Sequence, residues 1–475
     1  MRRRAAAVAV AVAAVVVAAC APGSATFSKS VSAIPGATGT GPGGGNGGAA
    51  EACPARYVDP DPGRPQVRLT FDLADDMATV TGTEHVELTP DLPVREVIFR
   101  LTANTVPSVR EGNSVTVTSA SASPGGQPFR VEPAGAGHGT QGGLLVIPLD
   151  REVAAGERVT ADVSFTLRLG EQAFDRFGHT RSYAWWGSGQ PLLAWERGVG
   201  WHSEPLLRFI GESATSEAAR IDLTVTAPGR WTVLGSGTPD PPADTGNGRR
   251  RWHAVADRAR DVSVAVGDFT VKEEAVDGTR VVVGTPSGRA PDELLGEMVR
   301  AVRELSRRFG PFPFPVLSVA RLPIQGGGIE YPGSILMLDD GRLVTVHEVA
   351  HQWFYGMVGD SQARDPWLDE AFATYAEQLV DGGPDAGNLD MPGRVGGSMQ
   401  DFRDNAGGYY ATVYGKGSAA LAAARQAAGA RPFDAALRCY VNANAWKIAR
   451  PADLERALAG LPKALAVLRK AGALR

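Results

Sequence analysis

The sequence predicts an α+β fold, an N-terminal all-β domain followed by a mostly helical one, on three observations. From about Arg56 to Pro286 apolar residues recur with period two in short runs such as Val67-Arg68-Leu69-Thr70-Phe71, Val115-Thr116-Val117-Thr118 and Ile221-Asp222-Leu223-Thr224-Val225. Gly, Pro and Asp separate these runs, as turns do between the antiparallel strands of a sandwich. After Pro291 the period becomes helical, with Leu294, Met298, Val302, Leu305 and Phe309 on one face until Gly310-Pro311 stops the helix.

The elements follow in order. Met1-Arg2-Arg3-Arg4 leads into 15 apolar residues, Ala5 to Ala19, and then Cys20. A charged start, an apolar core shorter than the ~20 residues of a bilayer span, and a cysteine at the cleavage point predict a lipoprotein signal over 1–19 with lipid on Cys20. The other reading, an ordinary membrane anchor, exports the body equally. Residues 20–52, with Gly41-Pro42-Gly43-Gly44-Gly45 at their centre, read as a flexible tether. The β domain is expected over 53–286. Val159 to Phe165 and Val262 to Val266 continue the alternation, whereas Val97-Ile98-Phe99-Arg100-Leu101 is continuously apolar, as a strand covered on both faces is. The aromatic stretch from Tyr183-Ala184-Trp185-Trp186 to Trp201-His202 breaks the alternation and reads as a long ordered loop.

The helical domain is expected over 287–475. Strand candidates Pro315 to Ala320 and Ile335 to Leu338 flank a glycine-rich loop at Gly326-Gly327-Gly328. Helices follow from Leu343 to Tyr355, from Pro366 to Val380, and in Ala/Leu-rich segments from Gly417 to Leu474. Cys53 and Cys439 are the only cysteines of the body; in an oxidising compartment they can pair, and two buried free thiols are the alternative. The full chain has 48 basic and 52 acidic residues, and without Arg2, Arg3 and Arg4 the charge is −7. A mildly acidic chain without a long basic run argues against nucleic acid or anionic lipid as its main partner.

His347-Glu348-Val349-Ala350-His351 puts two imidazoles one helical turn apart, and Glu370 follows after eighteen residues. Neutral imidazoles and a carboxylate are zinc ligands, and a glutamate between the histidines is placed to take a proton from water. These are the only two histidines of the helical half, out of seven in the chain. Trp367-Leu368, Phe372 and Tyr375 around Glu370 indicate a buried helix, where a carboxylate needs a partner. Glu377, two turns on, reads either as an outer acceptor that orients a ligand or as a surface ion-pair residue.

The run His347 to Phe354 and the run Trp367 to Glu377 resemble the zinc signature of the aminopeptidase N type gluzincins, which include leukotriene hydrolase. That resemblance implies a saddle-like β domain, a thermolysin-like catalytic domain, and one Zn2+ on His347, His351 and Glu370, with Glu348 as general base. The family's Gly-x-Met-Glu-Asn loop is matched by Gly327-Gly328-Ile329-Glu330-Tyr331, with Ile and Tyr replacing Met and Asn. It implies that Glu330 grips the substrate's free α-amine, on a substrate-binding loop that includes Gly327 and Gly328. The family's Tyr-x-Lys-Gly is matched by Tyr414-Gly415-Lys416-Gly417, which gives Tyr414 the oxyanion-donor role; Tyr409 and Tyr410 are its competitors. With the chain ending at Arg475, no room is expected for the family's large helical C-terminal domain, which leaves a more open cleft.

The function implied is that of a zinc aminopeptidase acting outside the cytoplasm on peptides with a free N-terminus, anchored to the bacterial membrane through Cys20. A zinc endopeptidase or other hydrolase on the same core, and a non-catalytic surface lipoprotein used as a binding module, are the alternatives.

Overall fold

Alternation becomes sheet: in strand Gln66–Leu73 the residues Val67, Leu69, Phe71 and Leu73 are buried while Arg68, Thr70 and Asp72 face solvent. The computed structural model describes residues 53–475 apart from 210, 212–214 and 383–387. The expected signal, Cys20 and the tether lie outside the described residues. Strand Gln66–Leu73 pairs antiparallel with Thr79–Leu88 and parallel with Ala219–Pro228, at the centre of an eight-stranded sheet. A four-stranded sheet containing Val94–Arg100 and Leu144–Val153 packs against it, so that Phe71 and Phe165 of one sheet share a core with Val97, Phe99 and Ile147 of the other. Two inner faces meeting in one apolar layer are the sandwich that period two predicts.

The aromatic stretch is a correction. Tyr183–Gly187 is a strand, not a loop: it pairs with Ser263–Gly267 and with Phe177–His179, and all five of its residues are buried. Trp186 belongs to the sandwich core and Trp185 to a separate cluster with Phe269 and Leu336. A strand buried on both faces has no alternating pattern, which is why the sequence suggested a loop. Leu192–Leu193, Trp195–Glu196 and Gly200–Trp201 add short strands after it.

A five-stranded sheet opens the second half, in the order Phe269–Val276, Thr279–Pro286, Val316–Arg321, Ser334–Met337, Gly328–Tyr331. It runs across residue 286, since Thr279–Pro286 pairs in parallel with Val316–Arg321. Helix Asp292–Phe309 buries the predicted face, Leu294, Met298, Val302, Leu305 and Phe309, and ends at Gly310. The Ala/Leu-rich end forms helices Gly417–Ala428, Ala430–Asn444, Pro451–Ala457 and Pro462–Lys470. Among the described residues no helix is long and apolar enough to cross a membrane.

Cys53 and Cys439 are both disulfide-bonded, and with Cys20 the only other cysteine they must be bonded to each other. This decides against the free thiols. Beside the bridge, Asn442 Nδ2 donates to the Pro54 carbonyl at 2.8 Å and the Val58 N–H donates to the Asn442 carbonyl at 3.1 Å. Buried Glu196 accepts hydrogen bonds from His202, Arg364 and Arg450 and so ties the sandwich to the segment that leads into the helix of Glu370.

Candidate metal centre

The motif helix is Arg342–Ala350, with His351 as its C-cap. It ends earlier than Tyr355, because the chain reverses there: Tyr355 has φ 100° and its N–H donates to the Val358 carbonyl at 2.8 Å. One turn apart, the His347 and His351 rings have centroids 4.7 Å from each other. The next helix, Trp367–Glu377, is followed by a π-helical turn, Gln378–Gly382. Trp367, Phe372 and Tyr375 are fully buried and fix this helix beside the motif helix. Arg300 and Arg342 both bind Asp381, which ties the π turn to the start of the motif helix.

Glu370 reaches both imidazoles from there. Its Oε2 lies 3.2 Å from His347 Nε2 and 3.4 Å from His351 Nε2, and one ligand atom from each of the three residues falls within 4.8 Å of the others. Tetrahedral ligands bonded to zinc at 2.0–2.1 Å sit roughly 3.3 Å apart. The donor set and these separations therefore fit a single zinc ion.

The outward nitrogens are held by carboxylates. His347 Nδ1 donates to Glu377 Oε1 at 2.6 Å, and His351 Nδ1 donates to Asp369 Oδ1, whose Oδ2 accepts from Gln362 Nε2 at 3.0 Å. Each ring is thus oriented with Nε2 toward Glu370, and Glu377 is an outer acceptor rather than a surface ion-pair residue. Burial by itself would lower the His347 pKa, but the hydrogen bonds to Glu370 and Glu377 outweigh it and raise it to about 10. His351 is likewise raised against burial by the Glu330 and Asp369 charges, while the two histidines hold Glu370 well below the usual carboxylate range. The metal-free His347 imidazole therefore carries a proton at neutral pH. Zinc uptake must displace that proton, so apparent zinc affinity should rise with pH toward about 10. Asp369→Asn and Glu377→Gln should each weaken zinc binding by about 10- to 100-fold in chelator competition.

Glu348 is buried, and its carboxyl lies against the backbone of Gly328: a Cβ at 328 would come within 2.4 Å of Glu348 Cδ. Only glycine allows this approach. Glu330, also buried, joins Glu348 and His351 in a second group with ligand atoms within 4.8 Å of one another. Strand Gly328–Tyr331 is the sheet's edge, and its alternation turns Ile329 and Tyr331 away from Glu348. Tyr331 packs with Trp185 and Leu336, its ring against Gly187. The two departures from the Gly-x-Met-Glu-Asn pattern thus fall on the face opposite Glu330. Gly327 precedes the strand, and its carbonyl accepts from the N–H groups of Leu338 and Asp339.

Tyr414 sits in a π-helical segment, Tyr410–Lys416, ahead of the expected Ala-rich helix. Its hydroxyl donates to Glu370 Oε1, and its ring lies parallel to that of His347 with centroids 5.9 Å apart. Burial, reinforced by the Glu370 charge, pushes this phenol well above its ordinary pKa. Tyr409 is buried against Phe209 and Phe402, and Tyr410 is exposed. Gly417 lets the following helix cross closely, since a Cβ there would lie 2.6 Å from Ala371 Cβ.

No family model matches the chain. Aminopeptidase M1-A of Oryza sativa subsp. japonica is 26% identical over 238 residues, 42% of this chain and 27% of that protein. Aminopeptidase M1 of Arabidopsis thaliana is 24% identical over 242 residues, again 42% of this chain and 27% of that protein. The chain spans about a quarter of the length of these relatives. The M1 zinc metallopeptidase of Deinococcus radiodurans superposes with a TM-score of 0.64 at 21% identity, over 86% of this chain and 92% of that one. A two-domain M1 zinc metallopeptidase mutant bound to L-arginine gives 0.65 at 20% identity, over 86% and 93%. In fold the chain is similar to these M1 zinc metallopeptidases. Within this fold every predicted site residue except Gly327 lies at the centre or directly against it. Asp369, Gln362 and Gln352 were not singled out by sequence; for Asp369 a signal was available, a carboxylate within the same buried helix as Glu370.

Proposed function

We propose that the chain is a zinc-dependent aminopeptidase that removes N-terminal residues from peptides outside the cytoplasm. The observation that carries this reading is the convergence of Glu330 with Glu348 and His351. A buried carboxylate next to the general base can bind a free α-amine as an ion pair, so that peptides are measured from their N-terminus. Zinc bound by His347, His351 and Glu370 would polarise a water and the scissile carbonyl. Glu348 takes the proton from that water and returns it to the leaving amine. Tyr414, released from Glu370, donates to the developing oxyanion, and Gly327 and Gly328 border the substrate.

The names of the relatives support an aminopeptidase, and a related M1 zinc metallopeptidase mutant has been solved with a Tyr-Ser-Ala substrate. The extracytoplasmic placement rests on the signal pattern ending at Cys20 and agrees with the Cys53 to Cys439 disulfide. Mass spectrometry of the mature protein should find a lipid-modified Cys20 at its N-terminus. Comparing one peptide with its N-acetylated form tests the exopeptidase mode: acetylation should lower kcat/KM by at least about 100-fold. Equal rates would make the chain an endopeptidase, and the absence of any chelator-sensitive hydrolysis would make it a binding module.

A further inference from the structure

We infer that Gln352 is the positioning residue for Glu330, tying the strand that carries it to the turn that closes the motif helix. Gln352 directly follows His351, and its side chain is fully buried. Its Oε1 accepts from the Gly333 N–H at 2.8 Å, and its Nε2 donates to the Tyr331 carbonyl at 3.2 Å. Both contacts lie on the turn that joins strand Gly328–Tyr331 to Ser334–Met337. One amide satisfies a donor and an acceptor of one turn, which neither a carboxylate nor an apolar side chain can do.

The strand needs such an anchor because it is the sheet's edge. Its ladder runs to Ser334–Met337, and among the described residues no strand pairs with its other side. Glu330 is the neighbour of Tyr331, so the Gln352 bond holds the backbone one residue from the carboxylate. The same side chain starts one residue from His351, which couples the Glu330 to metal-site distance to a single short link. Removing a partner from a buried polar pair leaves the remaining group unsatisfied, and here that group is the backbone of the Glu330 turn. Glu330's backbone then loses one of the contacts that fix it, beside the ladder to Ser334–Met337 and the packing of Tyr331.

The inference rests on the reading of Glu330 as the amine-binding group, and two measurements keep the two apart. In Gln352→Leu, KM for aminoacyl-p-nitroanilides should rise about tenfold while kcat stays within about threefold and zinc stoichiometry is unchanged. Hydrogen exchange of the amides from Gly328 to Ser334 should quicken by a similar factor, with those of the motif helix unaffected. Gln352→Glu keeps the acceptor for Gly333 and loses the donor to Tyr331, so it should fall between Leu and wild type, and it serves if the Leu variant does not fold. Unchanged KM and exchange in a zinc-loaded variant would overturn the inference, as would loss of zinc with a fall in kcat at constant KM. If wild type cleaves acetylated peptides equally well, the amine reading fails, and faster or unchanged exchange over Gly328 to Ser334 alone decides the positioning role.

Discussion

Glu348→Gln is expected to abolish turnover while leaving zinc in place. Glutamine is nearly isosteric with glutamate, so the close approach of residue 348 to Gly328 and the course of the helix Arg342–Ala350 are kept. The ligand atoms belong to His347, His351 and Glu370, none of which this substitution touches. What is lost is the only group in the motif that can take a proton from water and pass it to a leaving amine, because an amide has no basic oxygen at neutral pH. General acid–base contributions are typically 10²- to 10⁴-fold, and one residue serving both steps should cost about 10³-fold or more in kcat. Kinetics on an aminoacyl substrate together with metal analysis check this; a zinc-loaded variant with near wild-type kcat would remove Glu348 from the role.

The second large effect is at His351. His351→Ala should lower zinc affinity by more than about 100-fold, exceeding the 10- to 100-fold typical of outer partners, and hydrolysis should be lost with it. It should also destabilise the metal-free protein by about 3–5 kcal/mol, because fully buried Asp369 is left without its imidazole partner. His347→Ala is the contrasting case. It removes a ligand just as surely, but its outer partner Glu377 is 20% exposed at the side chain and can be hydrated, and buried Glu370 keeps His351 and Tyr414 as partners, so its stability cost should be smaller than that of His351→Ala. Denaturant unfolding of the two metal-free variants beside wild type measures the difference. Equal losses would mean that the Asp369 contact does not support the fold in the way its burial implies.

These predictions also mark how far the sequence reached. The ligand triad lay in spacing: i and i+4 on one helix face and a carboxylate on a second helix whose apolar neighbours forced it inward. The strands around Phe71, Val117 and Leu223 were readable because one face is wet. Trp185 and Trp186 were misread because their strand is wet on neither face, and periodicity carries no information there. Asp369 and Gln352 escaped for a different reason. Their partners, His351 on another helix and the Tyr331 turn on another strand, are set by packing, and no spacing along the chain encodes those contacts. The deviations at Ile329 and Tyr331 could be weighed only once the edge strand showed which of its faces carries Glu330.

One zinc ion, bound by His347, His351 and Glu370, is proposed to make this chain an aminopeptidase. Titrating zinc into metal-free protein while following a panel of aminoacyl chromogenic substrates tests it most directly. Hydrolysis should start from a negligible rate, rise in proportion to zinc and level off at one equivalent per chain, with no such rise in His351→Ala. Hydrolysis that is complete before zinc is added, or a protein that binds no zinc and cleaves none of the panel, would contradict it.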